Sequence, residues 1–186
     1  MIRRRPYICA MSDSPVIEGA LHEFLSYRTL AEKAMAQVGD DEFFEQIDAE
    51  SNSIALIVKH LAGNMRSRWT DFLSTDGEKP NRDRDGEFVT EGADTRGSLE
   101  AKWQEAWAIA LAALESLSDK DLQRTVSIRG EPHTVLKAIN RNVTHLAYHV
   151  GQIAFLAKHL SGERWQTLTV PRNRSRVSTG RTTQPR

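Results

Sequence analysis

An all-α fold, specifically a four-helix bundle with one long crossover, is predicted by three features of the sequence. Four long segments carry apolar residues at steps of three and four. Helix-stopping residues punctuate the chain between them. A single stretch between the second and third segments is too long for a simple connector, which suits a bundle with one crossover.

The first segment runs from about Val16 to Val38, after Pro15, and stops before Gly39. Ile17, Leu21, Phe24, Leu25, Ala31 and Met35 form its apolar stripe. DDEFFEQI then reads as a short helix with Asp40 at its N-cap. The second long helix is expected from about Glu50 to Leu73, starting near Ser51 or Ser53. Between Leu73 and Leu99 lies STDGEKPNRDRDGEFVTEGADTRGS, dense in Gly, Asp, Arg and Glu. Ser98 is the expected N-cap of the third helix, whose stripe is Leu99, Trp103, Trp107, Ala110, Leu111, Leu114 and Leu117. Ser118-Asp119 restarts the chain into TVSIRGEPHTV, which suggests a short extended stretch or hairpin around Arg129-Gly130. The fourth helix covers about Val135 to Leu160 and stops at Gly162.

Composition narrows the class. With 186 residues, 39% apolar and 27% charged, the chain fits one ordinary domain able to build its own core. The single Cys9 excludes an internal disulfide and any zinc module built on two or four cysteines, so a reducing compartment is expected. Arg3, Arg4 and Arg5 stand in residues 1–11, and five arginines in 171–186, with no acid in either stretch. Residues 12–170 therefore sum to −8, a poor charge for specific nucleic-acid binding. Residues 1–13 and 172–186 read as disordered ends around a body of residues 14–171, and Met11 offers an alternative start. The longest apolar run, AWAIALAAL at 106–114, is nine residues against the ~20 of a membrane span. No apolar signal-peptide core follows the arginines, so a soluble, cytoplasmic protein without a membrane partner is expected.

Chemistry concentrates in three of the six histidines. His145 and His149 are four apart on the fourth helix, which sets their side chains about 40° apart on one face. Leu146, Ile139, Val150, Val143 and Ile153 flank that face on one side and Tyr148 and Phe155 on the other, while Lys158, Asn140 and Thr144 lie opposite. On the second helix, Leu56, Ile57, Leu61 and Met65 place His60 inward, with Asn64 one turn along the same stripe. Gln152 follows the fourth-helix histidines in the same way. Three inward imidazoles each need a donor and an acceptor, which a divalent metal meets by taking one nitrogen from each. Three histidines leave an open position on such an ion. The alternative is three hydrogen-bonded core histidines. His22, His133 and His159 are read as solvated, hairpin and helix-end residues respectively.

The string THLAYHVGQI resembles the signature of the DinB-like metalloenzymes, a family distinct from the DNA polymerase of similar name. NSIALIVKHLAGNMRSRWTDFLSTDGEKPNRDRDGEF resembles one bacterial branch of it, known as a domain of unknown function. The resemblance covers about residues 14–171. It implies a DinB-type four-helix bundle with a divalent metal, zinc or nickel, on His60, His145 and His149, and a homodimer. Related branches act as S-transferases using bacillithiol, mycothiol or glutathione, and one includes a maleylpyruvate isomerase. By that analogy a low-molecular-weight thiol and a small-molecule substrate are the expected partners.

An open position on a metal ion lowers the pKa of water or thiol there, so thiol transfer and hydrolysis are both chemically available. HLAYH carries Leu146 where a helical zinc peptidase has its glutamate, which speaks against that mechanism. In the crossover, Lys79, Arg82 or Arg84 either serves an anionic cosubstrate or pairs with Asp76, Glu78, Asp83 and Asp85. Arg66 and Arg68 carry the same choice between a ligand role and a structural one, the structural being favoured. Asn64 and Gln152 are the candidate supporting or pocket residues. Trp69, opposite His60, is expected to pack outward against another element or a second subunit. The remaining classes are a non-catalytic metal-binding protein and a metal-free dimeric helical bundle.

Overall fold

The computed structural model describes residues 14–171, and the expectations for residues 1–13 and 172–186 lie outside that span. The fold is mostly helical. Its helices are α1 (Pro15–Met35), α2 (Asp40–Phe44), α3 (Ile54–Trp69), α4 (Arg96–Glu115) and α5 (Val135–Ser161), with a two-stranded sheet of β1 (Thr125–Ile128) and β2 (Glu131–Thr134) before α5.

Local chemistry sets the helix starts. Ser14 accepts from the Ile17 N–H ahead of Pro15, whose fixed φ suits a first helical residue. Ser53 caps α3 by accepting from Leu56 N–H, and Thr134 caps α5 by accepting from Lys137 N–H. Two starts differ from expectation. Asp40 is the first residue of α2, and Gly39 is the cap, its N–H donating to Glu42 Oε2 at 2.8 Å. Ser98 sits inside the first turn of α4, where it exchanges hydrogen bonds with the true cap, Thr95. At α4 two neighbouring hydroxyls can each satisfy a terminal N–H, and the chain's entry direction chooses between them. At α2 Glu42 reaches back to the Gly39 N–H, and the helix begins one residue earlier than an Asp40 cap allows.

α3 packs against α4 and α5, and α1 packs against α4 and α5. α3 is enclosed: every residue from Ile54 to Trp69 is buried except Lys59, Gly63 and Arg66. Such a helix has no single inward face. Trp69, expected to pack outward against another element or a second subunit, does meet another element: it is buried edge-on to Phe24 of α1 and donates its indole N–H to Asn142 of α5 at 2.8 Å. Trp103, Trp107 and Phe24 complete the aromatic core in edge-to-face contacts. Among the described residues no helix is long and apolar enough to cross a membrane.

The hairpin pairs antiparallel, with Val126 opposite His133 and Ile128 opposite Glu131. Arg129 and Gly130 both adopt positive φ, 58° and 75°, as a two-residue turn of this hand requires. The Asp76 carboxylate accepts from the backbone N–H groups of Arg129 and Gly130, each at 2.8 Å, and from the Ser127 hydroxyl. That latch fastens the crossover to the hairpin. At the crossover's other end, Lys59 of α3 binds Asp94 at 2.7 Å and the Val89 carbonyl at 2.9 Å.

Candidate metal centre

The three predicted histidines come together. His60 and His149 are buried, at 4% and 8% exposure, and His145 is partly so. Each offers one ring nitrogen, and those atoms all lie within 4.8 Å of one another, a group that could hold a metal ion. His60 Nε2 and His145 Nε2 are 3.2 Å apart.

The outer nitrogens explain how the rings are aimed. His60 Nδ1 lies 2.9 Å from Glu87 Oε2, and His149 Nδ1 lies 2.8 Å from Gln152 Oε1. A carboxylate or amide oxygen accepts there, so each Nδ1 carries the proton and each Nε2 keeps its lone pair. His145 Nδ1 is buried without a protein partner. Phe88 stacks on the His60 ring at 4.7 Å and shields it.

Glu87 was missed by sequence reasoning. It belongs to the 3-10 turn Gly86–Phe88 in the crossover, where no periodicity marks which acid turns inward. Its two oxygens also accept from Arg82, each at 2.7 Å, and Arg82 in turn binds Glu78 at 3.2 Å. Burial alone would raise the Glu87 pKa, but the bonds from His60 and Arg82 outweigh it and hold the group ionised. Arg82 is therefore internally paired. Lys79 is too, donating to the carbonyls of Ser67 and Asp76. Arg84 alone of the three crossover cations lines the cavity beside the histidines.

Gln152 and Asn64 both sit where the stripes placed them. Gln152 orients His149, and Asn64 accepts from Asn142 Nδ2 at 3.4 Å on the cavity wall. The other histidines stand apart. His22 is exposed beside Glu23. His133 is buried in the hairpin, its Nδ1 3.1 Å from the Glu131 carbonyl. His159 is exposed on the last turn of α5 and bonds none of its carbonyls.

Gly63 permits the Glu87 contact. A Cβ at this position of α3 would lie 2.1 Å from Glu87 Oε1 and 2.7 Å from its Cδ. Gly63→Ala adds helix propensity, yet it must push the carboxylate off His60 and Arg82. The expected result is a loss of metal affinity of about 10–100-fold, the usual effect of removing a ligand's orienting partner. Competition titration against a zinc chelator measures it; unchanged affinity would show that Glu87 does not set the ring.

Burial, with the neighbouring His149 and His60, pushes the His145 pKa down to about 3, and burial also lowers that of His149. Both are thus neutral in the native protein. In the unfolded chain they titrate near 6.5, so that state binds more protons below this pH. Stability of the metal-free protein should be full above about pH 6.5 and decline below it. For His145 the slope should reach about 1.4 kcal/mol per pH unit, with a contribution of the same sign from His149. Urea unfolding between pH 7 and 5 reads this, and the slope should flatten in a His145→Ala/His149→Ala variant.

A cavity of about 500 Å³ opens beside the three rings, lined also by Asn64, Asn142, Tyr148 and four arginines. None of its lining residues is a carboxylate. The sequence matches the family described as "Protein of unknown function (DUF1572)" over residues 13–174. No curated protein matches it.

Proposed function

We propose, for a chain that belongs to this family of unknown function, that His60, His145 and His149 hold one divalent ion, zinc or nickel, within a four-helix bundle of DinB type. The ion would serve thiol-dependent transfer to a small molecule. One observation carries the metal reading: Glu87 and Gln152 each take the outer N–H of a histidine, so two bare Nε2 atoms and that of His145 face a common centre. Core histidines satisfied by one another would not need a carboxylate, itself held by an arginine, to fix a tautomer.

When bound, such an ion supplies Lewis acidity that lowers the pKa of a thiol or water in its open position. The protein's own groups do the rest. Glu87 makes His60 a stronger donor, and Arg82 keeps Glu87 ionised and in place. Phe88 and Tyr148 wall the rings on two sides.

Thiol chemistry is favoured over hydrolysis by the cavity's lining. Hydrolysis calls for a general base within reach of a water. No carboxylate lines the cavity, and Glu87 is committed to His60 and Arg82. A metal-bound hydroxide still carries a proton that must reach the leaving group, whereas a thiolate has none left to move and needs no such base.

Elemental analysis of protein purified without a histidine tag tests the metal reading. About one divalent ion per chain is expected, absent from the His145→Ala/His149→Ala variant. Protein that stays empty after dialysis against zinc, nickel and manganese overturns it. Metal-dependent loss of free bacillithiol, mycothiol or glutathione in the presence of an alkyl electrophile tests the transfer reading, and metal-loaded protein that consumes none of them overturns that part.

A further inference from the structure

We propose that Arg68 and Arg141 form an oxyanion subsite at the end of the cavity away from the histidines, taking a carboxylate or phosphate of the substrate or thiol. The inference rests on the metal reading for the reactive end of the ligand, and on separate residues for the anionic end.

Arg68 is 5% exposed, yet no carboxylate of the described residues pairs with it and its Nε has no hydrogen-bond partner in the protein. The acid whose charge acts on it, Glu78, is bonded to Arg82 and Arg129. Arg141, exposed on α5, has no carboxylate partner among the described residues; its Nη1 lies 3.5 Å from His133 Nε2. A buried guanidinium without a counter-charge is costly, and folds carry one where a ligand completes it. Burial and the neighbouring Arg141 push the Arg68 pKa down to about 10, which leaves it cationic at neutral pH.

The position is built. A Cβ on Gly77 would lie 2.9 Å from Arg68 Cδ and 3.0 Å from Nε, so the crossover backbone packs flush on the side chain and holds it. Gly77 is itself fixed by donating to the Ser127 carbonyl at 2.8 Å. The Trp69–Asn142 bond brings the 68–69 end of α3 beside the 141–142 segment of α5. Arg68 follows His60 by eight residues and Arg141 precedes His145 by four, so the guanidinium end is displaced by about 6–12 Å along the helices. The cavity joins the two ends. Its shape selects a small molecule with a metal-seeking group at one end and an oxyanion at the other.

Calorimetry on zinc-loaded protein compares mercaptocarboxylates of increasing length with mercaptoalcohols of the same lengths. The carboxylates should bind about 10–100-fold tighter at one favoured length, as a charge-assisted bond to a buried arginine provides. Arg68→Gln should erase that preference, keep mercaptoalcohol affinity, and raise the melting temperature of the ligand-free protein, since an unpaired buried charge is gone. A Tm that falls while the preference survives assigns Arg68 a structural role and overturns the subsite, as does the absence of any preference in the native protein. Thermal shifts by inorganic phosphate and by glutarate on the His145→Ala/His149→Ala variant, with and without Arg68→Gln, separate this result from the metal reading. An Arg68-dependent shift there supports the subsite even if zinc does not bind, and the stronger of the two probes identifies the anion. No shift by either probe overturns it.

Discussion

Metal-loaded protein should melt about 8–16 °C above its metal-free form, and the gap should close in the His145→Ala/His149→Ala variant. A ligand that binds only the folded state at a thousand times its Kd stabilises by about 4 kcal/mol. In a chain of 150–250 residues each kcal/mol moves the midpoint by about 2–4 °C. The mechanism is specific to this site. His60 comes from α3 and the other two rings from α5, and these approach only when the two helices pack. Calorimetric scans with zinc and with a chelator measure the gap. An equal gap in the variant would put the ion elsewhere and remove the three-histidine centre.

Trp69→Ala should destabilise the protein by about 3–5 kcal/mol, as large-to-small changes at buried aromatic positions do. That corresponds to a fall of about 6–20 °C in the midpoint. Three contacts are lost together: the edge-on packing against Phe24 at 5.7 Å, the contact with Phe72 at 4.6 Å, and the hydrogen bond to Asn142. Trp69→Phe should retain much of the packing while leaving Asn142 Oδ1 without its donor, at about 1–3 kcal/mol. Asn142 also donates to Asn64 on the cavity wall, so the Phe variant should disturb ligand binding more than its stability loss implies. Urea unfolding of both variants tests the ledger, and a loss below about 1 kcal/mol for the alanine variant would contradict it.

The part of the site carried by regular helices was legible before any coordinates. On α5 the apolar arc is one-sided, and counting residues put His145, His149 and Gln152 on one stripe, yet it also set Tyr148 and Phe155 beside that stripe, and both rings are exposed. The same count set His60 and Asn64 on one stripe with Trp69 opposite, but α3 is wrapped by neighbours, so both sides are buried where a wheel assumes one. The crossover defeated the reading for a different reason. Glu87 meets His60 across 27 residues of irregular chain, and nothing local distinguishes it from Asp83 or Asp85. For Arg68, as for the exposed Arg66 two residues earlier, a structural role was the favoured expectation over a ligand role, because spacing alone does not show that its guanidinium is buried without an acid.

The crossover also divides labour within the molecule. The helices supply the three imidazoles, while residues 70–95 supply the acid that tunes one of them, the arginine that steadies the acid, and the backbone pressed on Arg68. Because Asp76 latches that segment to a turn outside the helical core, it behaves as a detachable faceplate on a fixed frame. Phe72, which packs on Trp69, ties its first residues to the frame, and the stretch beyond can drift or be rebuilt more freely. A new reactivity or a new ligand would then be reached by changing some two dozen residues, with the helix-borne histidines left alone.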